Sequence, residues 1–200
     1  MIKHKINDKF INWLKQFGGF PLPDWSNIVN IVGIRNNSDK DKDIFNDTIL
    51  LIDDKNIYAF KSTTDPGKFW TKNPIKETSG VANLLEGWYP NVYQIGIHRG
   101  EKALVQSGAP VTVWRDVDKN FEYDADVDNV QTGYFGINLH HAYGNPEHIG
   151  RWSAGCQVIQ DWQDRVLFIN LIESYPVHSY NYLLLNTNDI DDKFKNYIIA

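Results

Sequence analysis

The run Gly133–Ile159, GYFGINLHHAYGNPEHIGRWSAGCQVI, decides how the chain is read, because it ends around the protein's only cysteine. Phe135, Ile137 and Leu139 alternate with Gly136, Asn138 and His140, the period of a half-buried strand. On such a strand His140 projects from the face opposite the apolar one. His141 then shares the core-facing side, unless the strand ends before it. A polar loop follows, and Ser153-Ala154-Gly155-Cys156 closes the run.

Residue types in this order suit thiol chemistry. The reactive form of cysteine is the thiolate, and a neighbouring imidazole can take the proton and stabilise an ion pair, lowering the thiol pKa. Cys156 is the expected nucleophile and His140 its base. Gly155 allows a sharp turn, so that the amides of Gly155 and Cys156 can face a developing oxyanion, and the Ser153 hydroxyl can brace that turn. Two other readings stand beside this one. Cys156 can be a small buried hydrophobe among idle histidines, or His140, His141, His148 and Cys156 can bind zinc, although their spacing matches no usual zinc pattern.

Composition narrows the setting. A chain of 200 residues, 42% hydrophobic and 14% aromatic, is long enough for one sizeable core. The formal net charge of −5 lacks the basic surplus that phosphate backbones require, so no nucleic-acid partner is expected. A single cysteine forms no internal disulfide. The opening MIKHKINDKFINWLKQF has charges throughout and reads as neither a secretory signal nor a membrane span.

Outward from the central run, Ile6, Phe10, Trp13, Leu14 and Phe17 have helical spacing, with Asn7 or Asp8 as cap and Gly18-Gly19 as stop. Residues 1–24 are therefore expected to be an amphipathic helix and linker, and residues 25–200 a single domain. The helix's aromatic stripe suits packing on the domain's own sheet, or docking on a partner. Strands are expected at Ile28–Ile34, Thr48–Ile52, Ile57–Lys61, Tyr93–Ile97, Val111–Arg115 and Tyr180–Leu185. The charged run from Asn36 to Asp43 reads as a solvated loop, and Gly80–Gly87 as a loop or single helical turn. Asp116, Asp118, Asn120, Glu122 and Asp124 have calcium-loop spacing, but Phe121 occupies the position that needs glycine, so a hydrated hairpin loop is expected. Asp161 caps a helix from Trp162 to about Glu173, with Trp162, Val166, Ile169 and Ile172 facing inward and Pro176 ending it. The tail beyond is expected to fray.

The order strand, His, loop, Ser-x-Gly-Cys resembles the L,D-transpeptidase (YkuD-like) catalytic domain. Ile137-Asn138-Leu139-His140 is similar to that family's apolar-x-apolar-His strand, and Ser153-Ala154-Gly155-Cys156 to its Ser/Thr-His-Gly-Cys signature. Upstream, Ile49–Phe69 is similar to the early hairpin and the Thr-Pro-x-Gly-x-Phe region, through Thr63-Thr64-Asp65-Pro66-Gly67-Lys68-Phe69. The chain departs from the signature at Ala154, where histidine is usual, at Gln157, where an apolar residue is usual, and at Val158, where a polar one is.

The resemblance implies a mainly β, α+β fold: an L,D-transpeptidase-like β-sandwich of mixed sheets with a short N-terminal helix and a helix after the cysteine. It implies a thioester on Cys156, formed by attack on a peptidoglycan stem peptide next to a D-amino acid. An amine acceptor then gives transpeptidation, and water gives carboxypeptidase or endopeptidase action. His140 serves as base and then acid, with the Gly155 and Cys156 amides as oxyanion donors. Arg151 and Trp152 are candidates to bind the stem-peptide carboxylate and cover its side chain, and His141 and His98, with Arg99, to line the same groove. No cofactor or metal is expected. A wall substrate without a secretory signal fits a phage protein, virion-associated or released to the periplasm or cell wall during infection, and otherwise a cytoplasmic one. The non-enzymatic alternative is a virion or cell-wall-binding structural protein that keeps the fold.

Overall fold

The computed structural model describes residues 1–17, 29–36, 43–75, 80–122 and 129–199. The chain is mainly β. Its elements in order are β1 (Ile2–Lys5), α1 (Asp8–Leu14), β2 (Asn30–Arg35), β3 (Asp47–Ile52), β4 (Asn56–Thr63), α2 (Lys68–Lys72), β5 (Val81–Leu84) and β6 (Gly87–His98). Then follow β7 (Glu101–Gln106), β8 (Val111–Asp116), β9 (Val130–Gly133), β10 (Leu139–His141), β11 (Gln157–Ile159), α3 (Trp162–Glu173) and β12 (Tyr180–Asn186).

The larger sheet has the order β1-β4-β11-β10-β7-β6-β12-β2-β3, and β3 also pairs with β4. One flank of β4 carries β3, while the other carries β1 and then β11. The sheet therefore closes on itself through the β3–β4 pairing. It is mixed, since β10–β11 and β12–β2 are parallel and the other pairings antiparallel. A small antiparallel sheet, β5-β8-β9, packs against it through Ala82, Leu84, Val111 and Val113.

Strands β2 and β3 are buried at every position. Alternate residues face two different cores, which is why their sequences run apolar without a polar face. Ile31, Ile49 and Leu51 join a cluster with Phe168, Ile169 and Ile172 of α3. Val32, Ile34, Leu50 and Ile52 join a second cluster with Phe10, Ile11 and Leu14 of α1. Asn7 caps α1 by accepting from the Lys9 and Phe10 amides. The aromatic stripe is thus spent on the chain's own core, with Phe10 stacked on Tyr197 and tilted on Phe194. Phe10 and Leu14 are fully buried and unavailable to a virion or cell-wall partner. With β1 in the main sheet, residues 1–17 belong to the same folded body as the rest; the expected boundary at 24/25, the Gly18-Gly19 stop, most of the charged run and Asp124 lie outside the described residues.

Other expectations change for physical reasons. The 80–87 region contains a strand, β5, held by β8. Residues 187–197 are not frayed: two 3-10 turns, Thr187–Asp189 and Asp192–Tyr197, seat Ile190, Phe194 and Tyr197 in the second core. On α3, Val166 faces out and Arg165 lies buried instead, because its guanidinium donates to the Lys102 carbonyl and pairs with Glu101. Ile97, expected on a half-buried face, is 66% exposed.

Candidate active site

The segment before His140 is not a strand until Leu139. Gly136 adopts φ 72°, which breaks the ladder, and a side chain from β7 replaces it. Gln106 Oε1 accepts from the amides of Phe135 and Ile137, each at 3.0 Å, while its Nε2 donates to the Gly133 and Ala109 carbonyls. A buried glutamine is tolerated here because all of these bonds are made. The segment it clamps delivers Asn138, His140 and the Gly136 carbonyl to one place.

Asn138 reads out the tautomers. Its Oδ1 accepts from the Gln106 amide at 2.9 Å, so its Nδ2 must be the atom 3.0 Å from His98 Nδ1. An amide NH2 only donates; His98 Nδ1 therefore accepts, and neutral His98 carries its hydrogen on Nε2. His140 has the other tautomer. Its Nδ1 lies 3.0 Å from the His141 carbonyl oxygen, which only accepts, so Nδ1 holds the hydrogen and Nε2 is left with a lone pair. The two rings stack with centroids 4.6 Å apart and planes at 31°.

His98, His140 and Cys156 each present a ligand-type atom within 4.8 Å of the others. A thiolate and two imidazoles are an acceptable zinc donor set. The tautomer network fits it poorly: a metal on His98 Nε2 requires a hydrogen on Nδ1, where Asn138 also points a donor. The other zinc set read from the sequence is not assembled. His141 packs edge-on against Tyr143 and Trp162, and His148 lies at the surface beside the Asp43 carbonyl.

The turn carrying Cys156 is held from three sides. Ser153 Oγ accepts from the Gly155 amide at 3.1 Å and donates to the Cys156 carbonyl at 2.7 Å. Gly155 sits at φ 119°, and a Cβ there would meet the Ala82 carbonyl at 2.4 Å, so only glycine fits. The Gly67 amide donates to the Ser153 carbonyl, which docks the Pro66-Gly67 turn on this loop. One expectation is corrected here. Because the Gly155 amide is taken by Ser153, it cannot serve an oxyanion; the Cys156 amide, which has no acceptor among the described residues, can.

Beneath the turn, Gln157 is fully buried and accepts from Tyr182 Oη at 2.8 Å. Its Nε2 donates to the Gly155 and Thr64 carbonyls. Thr64 in turn receives the buried Arg35 guanidinium, which also pairs with Asp65 and Glu86. Asp47 accepts from the Thr64 amide and hydroxyl, and burial, reinforced by nearby Asp65, pushes its pKa up to about 7. The polar Gln157 is thus the tie between the cysteine turn and this buried network.

Electrostatics give a neutral resting pair rather than the expected ion pair. Burial pushes the Cys156 thiol above its ordinary value, against a smaller opposing pull from the Asn138 amide and Arg99. Burial likewise pushes His140 down to about 3. His98 is lowered by burial and then by Arg99. The thiol points at the Gly136 carbonyl, 3.4 Å away.

A cleft of about 330 Å³ opens beside these rings, lined by His98, Arg99, His140, His141, Tyr143 and Trp152 among others. Trp152, expected at the site, is there. Arg151 is not: it is exposed, its guanidinium lies 3.9 Å over the Phe69 ring, and its carbonyl receives Trp70 Nε1. Sequence reasoning overlooked Gln106 and underrated His98 and Asn138. The signal for Asn138 was a polar residue beside His140 in an apolar run; Gln106 lay in a strand that was not recognised.

Compared with known protein families, with curated proteins and with solved structures, the chain matches none.

Proposed function

We propose that this chain is a cysteine acyltransferase or peptidase of L,D-transpeptidase type that acts on peptidoglycan stem peptides through a thioester on Cys156. The observation that carries the reading is the placement of a thiol beside an imidazole whose tautomer leaves Nε2 free to accept a proton. The resemblance in the Ser-x-Gly-Cys turn and the His140 strand supplies the substrate class.

Cys156 Sγ attacks the stem-peptide carbonyl as its proton passes to His140 Nε2, forming the C–S bond. The oxyanion develops at the Cys156 amide. Collapse breaks the C–N bond, and His140 returns the proton to the departing D-amino acid amine, leaving a thioester. An acceptor amine or water then attacks and gives its proton to His140; the C–S bond breaks, and the departing Cys156 thiolate takes that proton back from His140. Because the resting pair is neutral, deprotonation is coupled to attack.

Defined tetrapeptide and cross-linked muropeptides, incubated with wild-type and Cys156→Ala protein and followed by mass spectrometry, test this. Products are expected from the wild type alone. Equal products from both proteins eliminate the thiol mechanism; no product from any substrate favours a cell-wall-binding protein without turnover.

A further inference from the structure

A second cleft, with about 720 Å³ of space open to solvent, lies over the small sheet and is lined by Val81, Ala82, Arg115, Tyr134, Phe135 and Ala154 among others. It shares its walls with the cysteine turn. Ala154 precedes Gly155, whose backbone abuts the Ala82 carbonyl, and Phe135 precedes Gly136, whose carbonyl faces the thiol. Arg115 is directly opposite Ala82 in the β5–β8 register, so both side chains lie on one face of the small sheet. Leu84 and Val113 continue that face into the core against the larger sheet.

Arg115 is pre-set. Its Nε donates to Gln131 Oε1 at 3.2 Å, and its guanidinium lies 4.9 Å over the Phe135 ring. Arg35 and Arg165, the more deeply buried arginines, each pair with carboxylates. Arg115, half-buried, pairs with none among the described residues. Partial desolvation of a cation without an acid is unfavourable, and it lowers this guanidinium's pKa. A planar fork with its two terminal nitrogens free, stacked on a ring and facing an open cleft, is suited to a carboxylate.

Resting on the thiol mechanism above, we propose that Arg115 binds a carboxylate of the acyl-donor peptide and that the cleft over it is the donor's anionic subsite. The sequence reading gave this task to Arg151, which lines neither of the two clefts.

The test titrates Cys156→Ala protein, which cannot turn over, with a stem tetrapeptide whose carboxylates are free and with the same peptide amidated, by calorimetry. The free acid is expected to bind at least about 10-fold tighter, since a charge-assisted pair contributes about 1.5–3 kcal/mol. Adding Arg115→Gln removes the preference and Arg115→Lys keeps part of it. A preference that survives Arg115→Gln overturns the assignment. If neither peptide binds, N-acetyl-D-alanine is titrated while the Arg115 Nε–H resonance is followed by NMR. A saturable shift keeps the carboxylate subsite and removes the stem-peptide reading; no shift overturns both.

Discussion

The two faces of β10 carry adjacent histidines with opposite fates. Both rings are buried, and burial depresses both, His140 to about 3 and His141 to about 4. Yet His140 has its Nδ1 tied to a carbonyl, and a ring nitrogen of His140, the Cys156 thiol and a ring nitrogen of His98 lie within 4.8 Å of one another. His141, on the α3 side, has both ring nitrogens buried with no hydrogen-bond partner among the described residues, in a cage of Tyr143 and Trp162. The difference teaches that residue type and burial do not make a base. An orienting bond on one nitrogen and a proton source near the other do.

Removing the base is the strongest way to break the comparison. His140→Ala is expected to lower kcat by about 10²–10⁴-fold, while His141→Ala costs less than about 10-fold; equal losses would erase the distinction between the two faces. The clamp comes next. Gln106→Ala leaves the amides of Phe135 and Ile137 without their acceptor, so a loss of about 1–3 kcal/mol is expected from denaturant unfolding. It should also lower kcat more than it raises KM, because Asn138 and the His140 segment lose their position.

The pH profile sharpens the contrast. With its pKa near 3, His140 stays neutral and able to accept a proton at any higher pH, so kcat/KM is expected to stay flat from pH 8 down to pH 5. An ordinary histidine base would give an acid limb near pH 6.5, roughly its unperturbed value. The smallest effect belongs to His141→Phe. Because His141 is held neutral in the fold, its contribution to stability is complete above the unfolded-state pKa and is lost as pH falls from there toward about 4. His141→Phe should therefore reduce the acid-side slope of unfolding free energy by up to about 1.4 kcal/mol per pH unit, with activity near wild type.

Much of the frame was legible in the sequence because it rests on local patterns. Continuous apolar runs located β2, β3 and β12, and Asp161, which accepts from the Gln163 and Asp164 amides, marked the start of α3. Strands without a pattern of their own were lost. β1 reads IKHK and is mostly exposed, and β7 reads EKALVQ; each is a strand only because a neighbour pairs with it. At the site, strand parity separated His140 from His141, but the run to Leu139 is irregular, since Gln106 supplies its bonds from a distant strand. Hydrogen bonds of that range leave no period. Nor could spacing reveal that the Gly155 amide is occupied by Ser153, or that His98 would arrive beside His140 from the β6–β7 hairpin.

The central claim is that the nucleophile sits on the His140 face and acts through a covalent thioester. The most direct measurement is acid-quenched intact-mass analysis of the wild-type protein during turnover of excess stem tetrapeptide, with peptide mapping of any adduct. The account predicts an added mass equal to the acyl portion of the donor, mapped to Cys156. An adduct mapped to another residue, or product released by Cys156→Ala protein at the wild-type rate, would contradict it.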